Sequence, residues 1–212
     1  MKITVLQPNL FPFKTYFDIV GAVDKVIFAD DSFYNRKSWV NKTIIIRNNK
    51  KFVFKIPIIS NKEDEPLSDI AILSKNWKRN FLKMIGEQYG DSVNFDKVFP
   101  MIKEVVYLPT DSASMIAAYS VFRVSELLGH DTKFSLASVD HKNVKGSFKS
   151  KIIEICKRER SNKFYTFSMY KNTFNSLFFI RNNINISYYS SFEKNSNNSI
   201  IDELMNSESL LK

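Results

Sequence analysis

The sequence predicts an α/β protein, with a mostly parallel sheet, a helical middle section and a small β-hairpin insertion. Three observations carry this. Both ends of the chain read as strand–helix–strand units, with unbroken apolar runs suited to strands covered on both faces. The middle, about residues 75–129, spaces its apolar residues at the helical period. Between the first unit and that middle, two β-prone runs flank Asn48-Asn49-Lys50-Lys51, a hairpin turn signal.

Taken in order, residues 2–6 form the first strand, which Gln7-Pro8-Asn9 ends because Pro8 has no N–H for a ladder and Asn9 suits a turn. A loop through Phe11-Pro12-Phe13 leads to a helix over 14–21 and a strand over 23–29, which a right-handed crossover makes a parallel neighbour of the first. Residues 32–41 alternate aromatic and polar side chains without a period, as a functional loop does. Strands follow at 43–47 and 52–58, the second marked as an edge by Pro57, then a charged loop over 60–66 and a short strand over 67–73. Helices cover 75–89, 95–105 and 112–128. The third is capped by Thr110 or Asp111, faces inward through Met115, Ala118, Val121, Phe122 and Leu128, and stops at Gly129. A strand at 133–136, a link at 140–145, a helix at 147–160 with Phe148, Ile152, Ile155 and Cys156 inward, a strand at 164–167, a helix at 173–181 and a strand at 184–189 complete a Rossmann-like sheet. Residues 1–192 are expected to form a single α/β domain, and 193–212 a polar, mobile, weakly helical tail.

Composition bounds the function. The 212 residues, 44% hydrophobic and 14% aromatic, suit one compact domain with a sizeable core. A lone cysteine, Cys156, excludes an internal disulfide and agrees with a reducing compartment; set among Ile152, Ile153 and Ile155, it reads as a core thiol. No signal peptide and no membrane span are evident, so a cytoplasmic location is expected. The net charge of +9 implies attraction to something acidic, such as nucleic acid, an anionic membrane surface, a diphosphate-bearing substrate or an acidic protein; the plainer reading is a compositional bias toward Lys, Asn and Ile. No nucleic-acid motif accompanies that charge, so specific nucleic-acid binding is not expected. Phosphate-loop glycine patterns, zinc-ligand spacings and a nucleophile elbow are all missing, and no metal or cofactor is expected.

The polar chemistry gathers near the start. Asp30 and Asp31, at a strand's carboxyl end, are candidate general bases, since mutual repulsion in such a pair holds one proton more tightly; the plainer reading caps a loop with one and solvates the other. Gln7 and Asn9 offer amides for sugar hydroxyls or a carbonyl. Arg36 and Lys37 suit a diphosphate, and Tyr34 and Trp39 suit stacking on a base or sugar ring. Lys78 and Arg79 beside Trp77 read as a solvated helix face. His141, between Asp140 and Lys142, is a candidate base oriented by a carboxylate, with a surface position as the plainer reading; His130 is expected in solvent.

These residues resemble a known family. Gln7-Pro8-Asn9, Phe11-Pro12, Tyr16-Phe17, Val23-Asp24, Asp30-Asp31, Tyr34 and Trp39-Val40-Asn41 are similar to the N-terminal signature of the WbqC-like family, and Ile56-Pro57, the Trp77-Lys78 helix and Ile153-Glu154-Ile155-Cys156 extend the likeness over nearly the whole chain. The sequence departs from the pattern at Lys42-Thr43, at Asn80 and at Thr166-Phe167-Ser168, where a Ser-Gly turn is common. Members occur in gene sets for O-antigen and related lipopolysaccharide or surface-polysaccharide synthesis. The resemblance implies a transferase that moves an acyl or aminoacyl group from a carrier-protein thioester to the amine of a nucleotide-linked deoxyamino sugar. It adds Tyr16 and Asn41 to the substrate-binding set of Gln7, Asn9, Tyr34, Arg36 and Trp39, and makes an acidic acyl carrier protein a partner. Two other readings stand beside it. One is a non-catalytic docking protein of polysaccharide synthesis. The other is a nucleotidyltransferase-like enzyme, although Lys14-Thr15-Tyr16 stands where such enzymes carry paired histidines.

Overall fold

The structure is a computed structural model that describes residues 1–48, 50–59, 65–144, 146–174, 176–190 and 198–209. In chain order its first elements are β1 (Lys2–Leu6), α1 (Lys14–Gly21), β2 (Lys25–Phe28), β3 (Lys42–Arg47), β4 (Lys50–Lys55), β5 (Ile58–Ile59) and β6 (Ala71–Ile72). The helical middle comprises α2 (Asn76–Tyr89), α3 (Phe95–Val106) and α4 (Ala113–Leu127). Then come β7 (Lys133–Leu136), α5 (Ala137–Asp140), α6 (Phe148–Arg158), β8 (Lys163–Phe167), α7 (Ser176–Ile180), β9 (Asn185–Tyr189) and α8 (Ile200–Asn206).

Five strands pair in the order β7-β2-β1-β8-β9, every pair parallel, so the α/β class and the parallel sheet read from the sequence hold. Both faces of the central strands are covered, which is why β1 and β2 are mostly apolar after their opening lysines, while the edge strands β7 and β9 are only partly buried. Leu6, Val26 and Phe28 point into a core shared with α1, α2, α3, α4 and α8. Ile3, Val5, Ile27, Ala29 and Phe164 point the other way, against Ile152, Ile155 and Cys156 of α6 and Phe179 of α7. Burial there pushes the Cys156 thiol up to about 12, which keeps it protonated and inert.

The hairpin insertion is β3–β4, with Arg47 opposite Lys50 and Asn48 at φ +50, a left-handed position that Asn tolerates. The helical middle forms as its spacing dictates. In α2, Trp77, Phe81, Met84, Ile85 and Tyr89 recur on one face, all buried.

Several expectations are corrected. The strand over 67–73 is a 3-10 turn at Leu67–Asp69 followed by the two-residue β6, because Leu67 and Ser68 donate their N–H groups back to Ser32 and Asp30. Ser112, not Thr110 or Asp111, caps α4 by accepting from the Met115 N–H. Met115 and Phe148 lie at the borders of their apolar stripes and face outward, 39% and 45% exposed. Of the expected tail, 193–197 and 210–212 lie outside the described residues, whereas α8 buries Ile200, Ile201, Leu204 and Met205. Each such side chain contributes about 1.5–3 kcal/mol relative to exposure, which fixes a helix too short to stand alone. Among the described residues, no helix is long and apolar enough to cross a membrane.

Candidate functional site

From β1 the chain steps to β2 and then to β7 on one side, and it returns across β1 to place β8 and β9 on the other. The carboxyl ends of β1 and β8 therefore mark the switch point, the place at which open α/β sheets bind ligands. Gln7 leaves the end of β1 there. Tyr16, in the first turns of α1, donates its hydroxyl to the Gln7 carbonyl at 2.8 Å and sets its ring 6.2 Å from that of Phe167 at the end of β8. Burial raises the Tyr16 pKa well above its usual range, with Tyr170 adding to the effect, so this hydroxyl stays protonated and acts as a fixed donor. The Gln7 amide donates to Ser32 Oγ at 3.0 Å, and Ser32 in turn donates to the Ala29 carbonyl at 2.7 Å, tying the ends of β1 and β2 together.

The two aspartates at the end of β2 have different surroundings. Asp30 is 2% exposed; its Oδ1 accepts the Ser138 N–H at 2.9 Å and its Oδ2 accepts the Ser138 hydroxyl. Asp30 thus ties β2 to the first turn of α5, and both of its oxygens are occupied. Asp31 is half-buried, and its Oδ2 meets Lys151 Nζ of α6 at 2.9 Å. Of the two carboxylates it is the one open to solvent.

Two residues beyond Gln7, Asn9 opens a cleft of about 200 Å³ whose other walls include Trp39, Lys42 and Thr43. Its rim is strained. Phe11, only 1% exposed, sits at φ +41, a conformation that is uncommon for a bulky side chain and costs about 1–3 kcal/mol. Its backbone is pinned there: the N–H donates to Ser120 Oγ at 3.0 Å, and the carbonyl accepts from Thr43 at 3.1 Å and Ser199 at 2.9 Å. Lys42 donates to the Arg36 carbonyl, and burial, with repulsion from Lys55, lowers its pKa. Trp39 is 40% exposed, an indole face at the cleft.

The remaining residues singled out in the sequence sit elsewhere. Asn41 is buried and clamps Ile56, donating its side-chain N–H to the Ile56 carbonyl at 2.9 Å while its backbone carbonyl accepts the Ile56 N–H at 2.8 Å. The Tyr34 N–H is bound to the Glu65 carbonyl, and the side chains of Arg36 and Lys37 are exposed on the same loop. His141 is not on the surface. Its side chain is 3% exposed, with Nε2 3.1 Å from Glu159 Oε1, the oxygen that also holds Lys25 Nζ at 2.7 Å. Lys25 opens β2 and Asp30 follows its close, so this cluster is anchored at the end of the sheet opposite the aspartates. His130 is not in solvent either: its ring packs against Gly21 and Ser125, and burial lowers its pKa, with Asp18 pulling the other way. Among the described residues, no three of His, Cys, Asp and Glu group as a metal site requires.

Ser138, Lys151, Lys42 and Tyr170 belong to this edge but carry no local sequence signal. Ser138 and Lys151 reach the aspartates across 108 and 120 residues of chain.

A 98-residue stretch is 21% identical to a protein of Mycobacterium tuberculosis named "Uncharacterized protein Rv1507c", covering 46% of this chain and 42% of that one. The chain therefore spans less than half the length of that relative. No solved structure matches. The WbqC-like protein family, by contrast, matches from residue 7, the glutamine at the sheet's carboxyl edge, through residue 209, and the chain belongs to it.

Proposed function

We propose that this protein transfers an acyl or aminoacyl group from a carrier-protein thioester to the amine of a nucleotide-linked deoxyamino sugar in surface-polysaccharide synthesis. The observation that carries the reading is the Asp31–Lys151 pair, a part-exposed carboxylate held by an ammonium at the carboxyl edge of the parallel sheet. The sugar amine attacks the thioester carbonyl; the C–N bond forms, the C–S bond breaks, and the amine's proton passes through Asp31 to the departing thiolate. Lys151 holds the Asp31 carboxylate in place. Asn9 and Lys42 orient the sugar and its diphosphate in the cleft, with Trp39 stacked on a ring. Asp30, occupied by Ser138, shapes the edge without touching substrate.

The test is to incubate the purified chain with a nucleotide-linked 4-amino sugar and an acyl-loaded carrier protein, and to follow the sugar by mass spectrometry. The expected outcome is a mass gain equal to the acyl group, abolished in Asp31→Asn. An unchanged sugar mass across several loaded acyl groups overturns the reading, and full turnover in Asp31→Asn removes the base assignment.

A further inference from the structure

The chain's positive charge is not spread evenly. Residues 141–190 hold ten Lys or Arg and two Glu, so this stretch carries +8 of the total +9. It builds α6, β8, α7 and β9, meaning one helical layer of the sheet and one edge. Both glutamates are already engaged: Glu154 pairs with Arg158, and Glu159 pairs with Lys25 and His141.

The same layer exposes large apolar side chains. Met169 is 76% exposed, Leu177 61% and Ile180 55%, with Phe148, Tyr170 and Phe178 also open. The buried pair Phe174 and Phe179, with ring centroids 5.7 Å apart, joins the three aromatic members of the patch, while Met169 precedes Tyr170 and Leu177 and Ile180 flank Phe178 and Phe179 on α7. Phe148 and Tyr170 have ring centroids 5.9 and 5.8 Å from Phe174, and Phe178 lies 6.1 Å from Phe179. Cations interleave with the patch: Lys149 follows Phe148, Lys171 follows Tyr170, and Arg181 follows Ile180. None of these three makes an ion pair among the described residues.

We propose that this layer docks on an anionic lipid surface, with the Leu177–Ile180 ridge in the headgroup boundary and the surrounding Lys and Arg on the lipid phosphates. Interfacial binding combines buried apolar area with attraction to anionic headgroups, and both ingredients occur here together. Charge across a whole layer suits a plane of headgroups better than a single partner helix. Met, Leu and Ile offer no stacking face to nucleic-acid bases. A second copy would bring like charges together. Neither described cleft, of about 200 or about 510 Å³, is lined by patch residues. The proposal is independent of the acyl-transfer reading, since none of Lys149, Leu177, Ile180 and Arg181 is assigned a role in that chemistry.

The experiment is co-sedimentation of the full chain with vesicles of phosphatidylcholine alone or containing about one-third phosphatidylglycerol. Binding to the anionic vesicles is expected to be at least about tenfold tighter, and to weaken as ionic strength rises from about 0.1 M to about 0.5 M. Lys149→Glu/Arg181→Glu should lose more than about tenfold, given about fivefold for each surface cation, and Leu177→Glu/Ile180→Glu should lose a comparable amount. Each variant should keep the wild-type circular dichroism spectrum, and sugar acylation in solution, where present, should be unchanged. Equal binding to both vesicle types overturns the proposal, as does wild-type vesicle binding by either folded variant. Binding of a single-stranded oligonucleotide or an acidic carrier protein in place of vesicles reassigns the patch and equally overturns it.

Discussion

Asp30 and Asp31 are adjacent in sequence, yet their substitution should have opposite consequences. Asp30→Ala removes the acceptor of two charge-assisted hydrogen bonds from Ser138 and leaves both donors without a partner at a buried joint between β2 and α5. Such bonds are worth about 1.5–3 kcal/mol each; relief of the desolvation that a buried carboxylate suffers offsets part of the loss, so a net of about 3 kcal/mol is expected. For a chain of this length that lowers the melting temperature by about 6–12 °C. Asp30→Asn should cost less, about 1–2 kcal/mol, because the amide oxygen can accept the Ser138 N–H while the amide nitrogen donates to its hydroxyl. Asp31→Asn breaks a part-exposed ion pair with Lys151 and should change stability by less than about 1 kcal/mol while ending turnover. Urea unfolding followed by tryptophan fluorescence measures all three, and a double-mutant cycle of Asp30→Ala with Ser138→Ala should give a coupling of about 1.5–3 kcal/mol. Asp30→Ala within about 1 kcal/mol of wild type, or a coupling near zero, would show that the carboxylate does not hold the joint.

This division was not legible in the sequence, and the reason is physical. Apolar continuity and helical spacing depend on neighbours in the chain, so the first strand, α1 and the three middle helices read correctly. A carboxylate's role depends on what faces it, and Ser138 and Lys151 arrive from over a hundred residues away. The mutual repulsion proposed for an Asp-Asp pair at a strand end presumes that both carboxylates face the same solvent. Successive side chains at a strand end turn to different neighbours, and here one finds the α5 turn and the other finds α6. Gln7 and Asn9 were legible as residues of the sheet's carboxyl edge because Pro8 marks the end of β1. Asn41 looked equally polar but clamps Ile56, a bond between strand ends that no local pattern encodes. Likewise α8 has its four apolar residues at helical spacing, but its stability comes from packing against α3 and β3, and the polar run before it suggested a free tail.

Two further outcomes concern the contact between α1 and the end of α4. A Cβ added at Gly21 would lie 2.8 Å from His130 Nε2, so Gly21→Ala should destabilise by about 1–2 kcal/mol, and Gly21→Ala/His130→Ala should recover most of that loss in the same urea assay. The second outcome is a pH dependence set by His130. Burial depresses its folded-state pKa below the ordinary 6.5, with Asp18 opposing the shift. Between the folded value and 6.5 the unfolded chain binds the proton more readily than the native one. The stability associated with neutral His130 is therefore fully present above pH 6.5 and is lost as pH falls through the folded value. Urea midpoints measured from about pH 7.5 to about pH 5 should fall more steeply for the wild type than for His130→Gln, which retains a polar ring-sized group but cannot titrate. Comparing the two proteins cancels titrations common to both. Parallel profiles would mean that the ring takes up its proton as easily in the native contact with Gly21 and Ser125 as in the unfolded chain.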